Sequence, residues 1–212
     1  MIIEVNNYTK TIRRNNVLNK ISFTFHGGKI YGLSGKNGCG KTMLMRAVSG
    51  LILPSSGFVE VDKKRIGRDI SFPESVGLLL ENPSFPGDYT GRDNLELLNK
   101  IRREDIDYDS LLDSVGLDHN DQRKYRRYSL GMKQRLGIAA AIMGQPSLIL
   151  LDEPINAIDE IGVELIKKTI LSLKNEDRII IIACHDMDEM RLFADDIIYM
   201  SEGEIVKVES LE

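Results

Sequence analysis

Between residues 35 and 42 the chain reads Gly35-Lys36-Asn37-Gly38-Cys39-Gly40-Lys41-Thr42, a glycine-rich run that ends on an ammonium and a hydroxyl. Glycines so spaced let consecutive backbone N–H groups curl around an anion, and a helix opening behind them turns its positive end toward it. The full G-x-x-x-x-G-K-T pattern therefore points to phosphate binding. Lys41 would reach the β- and γ-phosphates of a nucleoside triphosphate, and Thr42 would offer its hydroxyl to Mg2+. Met43 extends the helix start and belongs to the same binding set.

A second centre lies at Asp152 and Glu153, which end the apolar run Leu148–Leu151. Carboxylates at the end of a buried strand are costly unless they are paired or ligating. A cation held beside the phosphate loop would offset that cost. Neighbouring strand side chains point to opposite faces, so the two acids divide the work. Asp152 is expected in the Mg2+ shell, and Glu153 is expected to polarise an attacking water. Ser129, Leu130 and Gly131 make a third centre. Ser129 is a good N-cap for a helix through Met132, Leu136, Ala139 and Ile142, and Gly131 keeps its first turn open to an anion.

The elements that must position these groups follow from hydrophobic period and turn residues. Short strands are predicted at Ile2–Val5, Ile21–Phe25 and Lys29–Leu33, with a turn at His26-Gly27-Gly28. A helix is predicted over Thr42–Leu51, ended by Gly50 and Pro54, then strands at Phe58–Val61 and Ser75–Leu80. From about Pro83 to Tyr128 the pattern turns polar, with helical segments at Asn94–Ile101 and Tyr108–Val115, and predicts a helical lobe inserted into the core. Regular alternation follows: a helix from Ser129 to Met143, strand Ser147–Leu151, helix Ile158–Leu173, strand Ile179–Cys184 and helix Met187–Phe193. A hairpin of Ile197–Met200 and Glu204–Val208 comes last. Continuous apolar strands alternating with helices imply a parallel sheet covered on both faces.

At 212 residues, 42% hydrophobic, the chain suits one domain over 1–212, with about 83–130 as the helical insert. A net charge of −4 argues against a dedicated nucleic-acid binder. The basic run Arg123, Lys124, Arg126, Arg127 is expected to be a solvated helix face. Cys39 and Cys184 lack metal-ligand spacing, and a thiol inside the phosphate loop suits a reducing compartment. No signal-peptide pattern is visible, and the apolar runs fall far short of the roughly 20 residues of a membrane span. The chain is expected to be soluble, so any membrane work would need a separate partner.

Tyr128–Arg135, YSLGMKQR, lies between the phosphate loop and the carboxylate pair. It resembles the signature of ABC ATPases, in the variant form of bacterial subunits that export peptides or antibiotics; Leu130 and Met132 replace the usual Gly and Gln as tolerated variants. The resemblance covers essentially the whole chain. It implies a P-loop NTPase (RecA-like) α/β core with an N-terminal antiparallel β subdomain and an inserted helical subdomain. It implies ATP and Mg2+ as cofactors. It also implies a head-to-tail pair, either a homodimer or a heterodimer with a paralogous ATPase subunit. In such a pair Ser129 and Gly131 would meet the γ-phosphate held by the other subunit. Asp159, in Asn156-Ala157-Ile158-Asp159, matches the family's D-loop acid, and His185 matches its switch histidine.

Two further departures carry expectations. Glu81 stands where the family has its Q-loop glutamine; it would still serve Mg2+ or its water, while adding negative charge beside the phosphates. Ile12 stands where an aromatic usually stacks on adenine, with Tyr8 nearby but out of register, which implies weak stacking and a loose choice between ATP and GTP. The implied partner is a separate membrane permease, which would hold the chain as a peripheral subunit on the cytoplasmic face, with no nucleic acid partner. The lobe around Glu81–Tyr89 is expected to face that permease. The short chain and Glu81 both lean toward export. The alternatives are a soluble non-transport ABC ATPase and a nucleotide-gated scaffold without turnover. A single cassette with no long coiled coil or marked basic face counts against the first. Glu153 and His185 count against the second.

Overall fold

The structure, a computed structural model, describes residues 1–184 and 186–211. Its strands are β1 (Ile2–Ile12), β2 (Asn15–His26), β3 (Lys29–Ser34), β4 (Ser56–Val61), β5 (Lys64–Arg65), β6 (Val76–Leu79), β7 (Leu148–Asp152), β8 (Ile179–Ala183), β9 (Asp196–Ser201) and β10 (Glu204–Ser210). The helices are α1 (Lys41–Val48), α2 (Gly91–Arg102), α3 (Tyr108–Ser114), α4 (Leu130–Ile142), α5 (Glu160–Ser172) and α6 (Met187–Arg191).

Two sheets result. The first runs β2-β1-β4-β5 and is antiparallel. The second runs β10-β9-β3-β8-β7-β6; its strands are parallel except for β10, which returns antiparallel beside β9. Alternation along the central strands builds two cores at once. Leu148, Leu150, Ile179 and Ile181 face the antiparallel sheet and α1, whereas Ile149, Leu151, Ile180 and Ile182 face the core that includes α4 and α5. These fully apolar strands are the sequence signature of a sheet buried on both sides.

The first two strands are much longer than the predicted Ile2–Val5 and Ile21–Phe25. They extend because Tyr8 and Leu18 continue the buried face through polar surroundings. Arg13 and Arg14 close the hairpin with φ of 47° and 69°, a primed-type turn that suits the strand twist without the usual Asn-Gly. The basic run is exposed, as expected, but it is not a helix face. Tyr125–Arg127 forms only a short 3-10 turn. Around it Arg123 pairs with Asp121, and Arg126 pairs with Asp88. The lobe between 83 and 130 otherwise holds α2, capped by a Thr90–Asp93 capping box, and α3, capped by Asp107. No helix among the described residues is long and apolar enough to cross a membrane.

Arg178, just before β8, is buried, and burial pushes its guanidinium down from its ordinary range. It donates to three backbone carbonyls, those of Pro146, Leu173 and Gln145, and so stitches the turns before β7 and β8 together. Arg178→Met would leave those carbonyls short of a donor. A destabilisation of about 2–4 kcal/mol is expected in urea unfolding.

Candidate nucleotide site

The loop between β3 and α1 is built for close approach of an anion. Gly38 and Gly40 sit at φ 80° and 112°, in the left-handed region that side chains rarely adopt, and a Cβ on Gly38 would meet only open space. The Gly40 carbonyl accepts from Leu44 N, which begins the α1 ladder. The loop is braced from outside. Cys39 O accepts from Gly203 N at 2.9 Å, and Gly203 O accepts from Asn19 N at 2.8 Å. The β9–β10 turn and β2 therefore hold the phosphate loop, a support the sequence did not reveal because Glu202-Gly203 reads only as a hairpin turn.

Lys41 is buried and its Nζ donates to Gly35 O at 2.6 Å, so the ammonium folds over its own loop. Thr42 Oγ1 donates to Asp152 Oδ2 at 2.5 Å. This contact joins the start of α1 to the end of β7 and brings two of the three predicted metal-binding groups together. Glu153 follows with φ 50°; its N–H donates to Ala183 O at 2.8 Å, and its carbonyl accepts from Gln134 Nε2 at 2.8 Å. A cavity of about 570 Å³ opens over these groups, lined by Asn37, Gly38, Gly40, Lys41, Thr42, Met43, Glu81, Asp152 and Glu153 among others. Of the remaining loop residues, Lys36 is exposed and Cys39 is buried.

The donor set fits Mg2+ in the company of a nucleotide. No cluster of three or more acidic, His or Cys side chains capable of holding a metal occurs among the described residues. One hydroxyl and one carboxylate in contact, beside a phosphate-shaped loop, suit an ion that keeps waters and takes its other oxygens from phosphates.

Other predicted residues lie differently. Glu81, at φ 61°, lines the cavity but is ion-paired to Arg46 of α1 at 2.5 Å. Its carboxylate is thus engaged by a cation, and a metal role would require that pair to open. Ile12 ends β1, 42% exposed and outside the lining; Val17 of β2 lines the cavity instead. Tyr8 is no substitute. Its ring is buried, its hydroxyl donates to Ile52 O, and burial pushes its phenol up to about 12.

Ser129 caps α4 by accepting from Met132 N at 3.2 Å, as its sequence position predicts. Neither Ser129 nor Gly131 lines this cavity. Asp159 precedes α5 and pairs with Arg135. His185 lies outside the described residues. Gln134, Asn82 and Asn156 line the cavity without having been expected there. Gln134 had a signal, as the second polar residue after Met132 in the octapeptide, but on a mostly buried helix it reads as an exposed position.

A glycine loop joining a parallel strand to a helix, with its Lys and Thr set against a strand-end Asp, defines a P-loop nucleotide hydrolase. The fold matches solved ATP-binding cassettes. A dimeric cassette in a post-hydrolysis state with ADP and Pi has a TM-score of 0.87 at 22% identity, covering 99% of this chain and 99% of that one. The family described as ABC transporter matches residues 18–156. YybJ of Bacillus subtilis, an uncharacterized ABC transporter ATP-binding protein, is 45% identical over 96% of this chain and 94% of its own. The bacitracin transport ATP-binding protein BcrA of Enterococcus faecalis is 40% identical over 97% of this chain and 68% of its own. The lantibiotic transport ATP-binding protein SrtF of Streptococcus pyogenes is 32% identical over 97% and 89%. The chain belongs to the ABC transporter family and is an ATPase subunit of it.

Proposed function

We propose that this chain binds Mg·ATP in the cavity over Gly35–Thr42, pairs head to tail with a second ATPase subunit, and hydrolyses ATP to drive a separate membrane permease. A second copy of this chain is the simplest such subunit. The observation that carries the proposal is the 2.5 Å contact of Thr42 with Asp152 at the mouth of a glycine arch that Glu153 also borders.

In this account the loop amides and Lys41 bind the β- and γ-phosphates, and Lys41 exchanges its present contact to Gly35 O for phosphate oxygens. Thr42 and Asp152 hold Mg2+, with Glu81 joining when it leaves Arg46. Bound there, the ion neutralises charge developing on the phosphate oxygens. Glu153 orients the attacking water and draws its proton. Ser129 and Gly131 of one subunit, together with Asp159, close on the nucleotide of the other, and His185 contacts the γ-phosphate. Excluding water from that closed site strengthens each of these contacts.

The likeness to bacitracin and lantibiotic transport subunits supports export of a peptide antibiotic or similar amphipathic cargo. The working position is the cytoplasmic face of the membrane, held through the permease. Ser129 gives a direct test of the pairing. Ser129→Ala removes a cap of about 1 kcal/mol and one contact to the nucleotide across the interface. Single-chain ATP affinity, read by fluorescent-nucleotide titration, should stay within about twofold, while turnover should fall about tenfold or more. Equal losses in both would remove Ser129 from the partner's site.

A further inference from the structure

The first turns of α4 do more than face outward. Gln134, 5% exposed, points back into the chain and donates from Nε2 to Glu153 O at 2.8 Å and to Pro154 O at 3.3 Å. Its neighbour Arg135 pairs with Asp159 and donates to Gly116 O at 2.9 Å. Gly131 lies so close to the same segment that a Cβ there would fall 2.7 Å from Ala157 O. One helix start thus touches residues 153, 154, 157 and 159 of its own subunit. Within that segment Glu153 and Ala157 both hold left-handed φ, 50° and 62°. Outside tight turns, non-glycine residues adopt that conformation uncommonly, at a cost that surrounding contacts must offset.

We infer that Gln134 is a positioning residue for Glu153: its buried amide pins the Glu153–Pro154 backbone in the strained conformation that sets the direction of the Glu153 carboxylate. The proposal rests on Glu153 acting on the attacking water. It has a mechanical consequence. The helix start that would contact the nucleotide of the other subunit is hydrogen-bonded to the water-activating segment of its own. Closure at one site therefore reaches the chemistry of the second through α4, without a change in the phosphate loop.

The test is a double-mutant cycle on the full chain. Gln134→Met keeps length and packing but loses both donations, and Gln134→Glu, of the same shape but an acceptor, serves if the Met variant is unstable. In the wild-type background kcat should fall about tenfold or more, since small displacements of a reacting group are costly, while KM and ATP affinity change less than about twofold. In a Glu153→Gln background, where no carboxylate is left to aim, the same substitution should change the residual rate by less than about twofold. An unchanged kcat, or the same factor lost in both backgrounds, overturns the proposal. Wild-type turnover by Glu153→Gln alone would instead overturn the role of Glu153, so the two failures are distinguishable.

Discussion

Glu153→Gln will retain ATP and scarcely turn it over. The substitution keeps the side chain's size, and the backbone contacts to Ala183 O and from Gln134 do not involve the carboxylate. What disappears is the group proposed to accept a proton from water. General-base contributions run to about 10²–10⁴-fold, so steady-state phosphate release should drop by at least about 10²-fold. Nucleotide affinity should hold or rise, because nothing on the phosphate loop or at Thr42 and Asp152 has changed and the closed state no longer decays through hydrolysis. A variant with normal turnover would take Glu153 out of the reaction.

Lys41→Ala is expected to fail one step earlier, at binding. The ammonium is buried at the base of the glycine loop with Gly35 O as its present acceptor, and the proposed function has it transfer to phosphate oxygens. Removing it deletes a charge-assisted hydrogen bond to a multiply charged ligand from a partly desolvated position. ATP affinity should weaken about 100-fold or more, equivalent to about 3 kcal/mol. Fold stability should change little, since the hydrogen bond that Lys41 gives up within the chain is local, ending on the carbonyl of Gly35 in the same loop. Equilibrium titration with a fluorescent ATP analogue, beside a thermal melt, separates the two effects. Tight binding by Lys41→Ala would overturn the assignment of the loop.

The two variants differ in kind, and so do the signals that exposed them. Gly35–Thr42 and Asp152–Glu153 were legible because each depends on local rules: glycine torsions, helix polarity, and the cost of a carboxylate at a buried strand end. The parallel sheet was legible for the same reason, since Leu148–Leu151 and Ile179–Ala183 are apolar at every position. The full length of the antiparallel hairpin was not, because Asn6, Asn7, Asn15 and Asn16 interrupt the alternation, and only the cross-strand pairing of β1 with β2 carries the strands past them. The supports of the site also stayed hidden. Asn19 and Gly203, from opposite ends of the chain, brace the phosphate loop together, and Arg46 meets Glu81 across a 35-residue gap. Such contacts follow from topology rather than pattern. Ile12, placed by counting along the chain, lies outside the cavity lining, which Val17 of β2 joins.

In the proposed function this chain carries two halves of two different sites, one at Gly35–Thr42 and one at Ser129–Gly131, which only a second subunit can complete. The most direct measurement is the mass and nucleotide content of purified Glu153→Gln in saturating Mg·ATP, by light scattering on a size-exclusion column. A dimer carrying two ATP, which Ser129→Ala in the same background returns to monomer, is the predicted result. An ATP-saturated monomer at tens of micromolar, or a dimer indifferent to both ATP and Ser129, would contradict it.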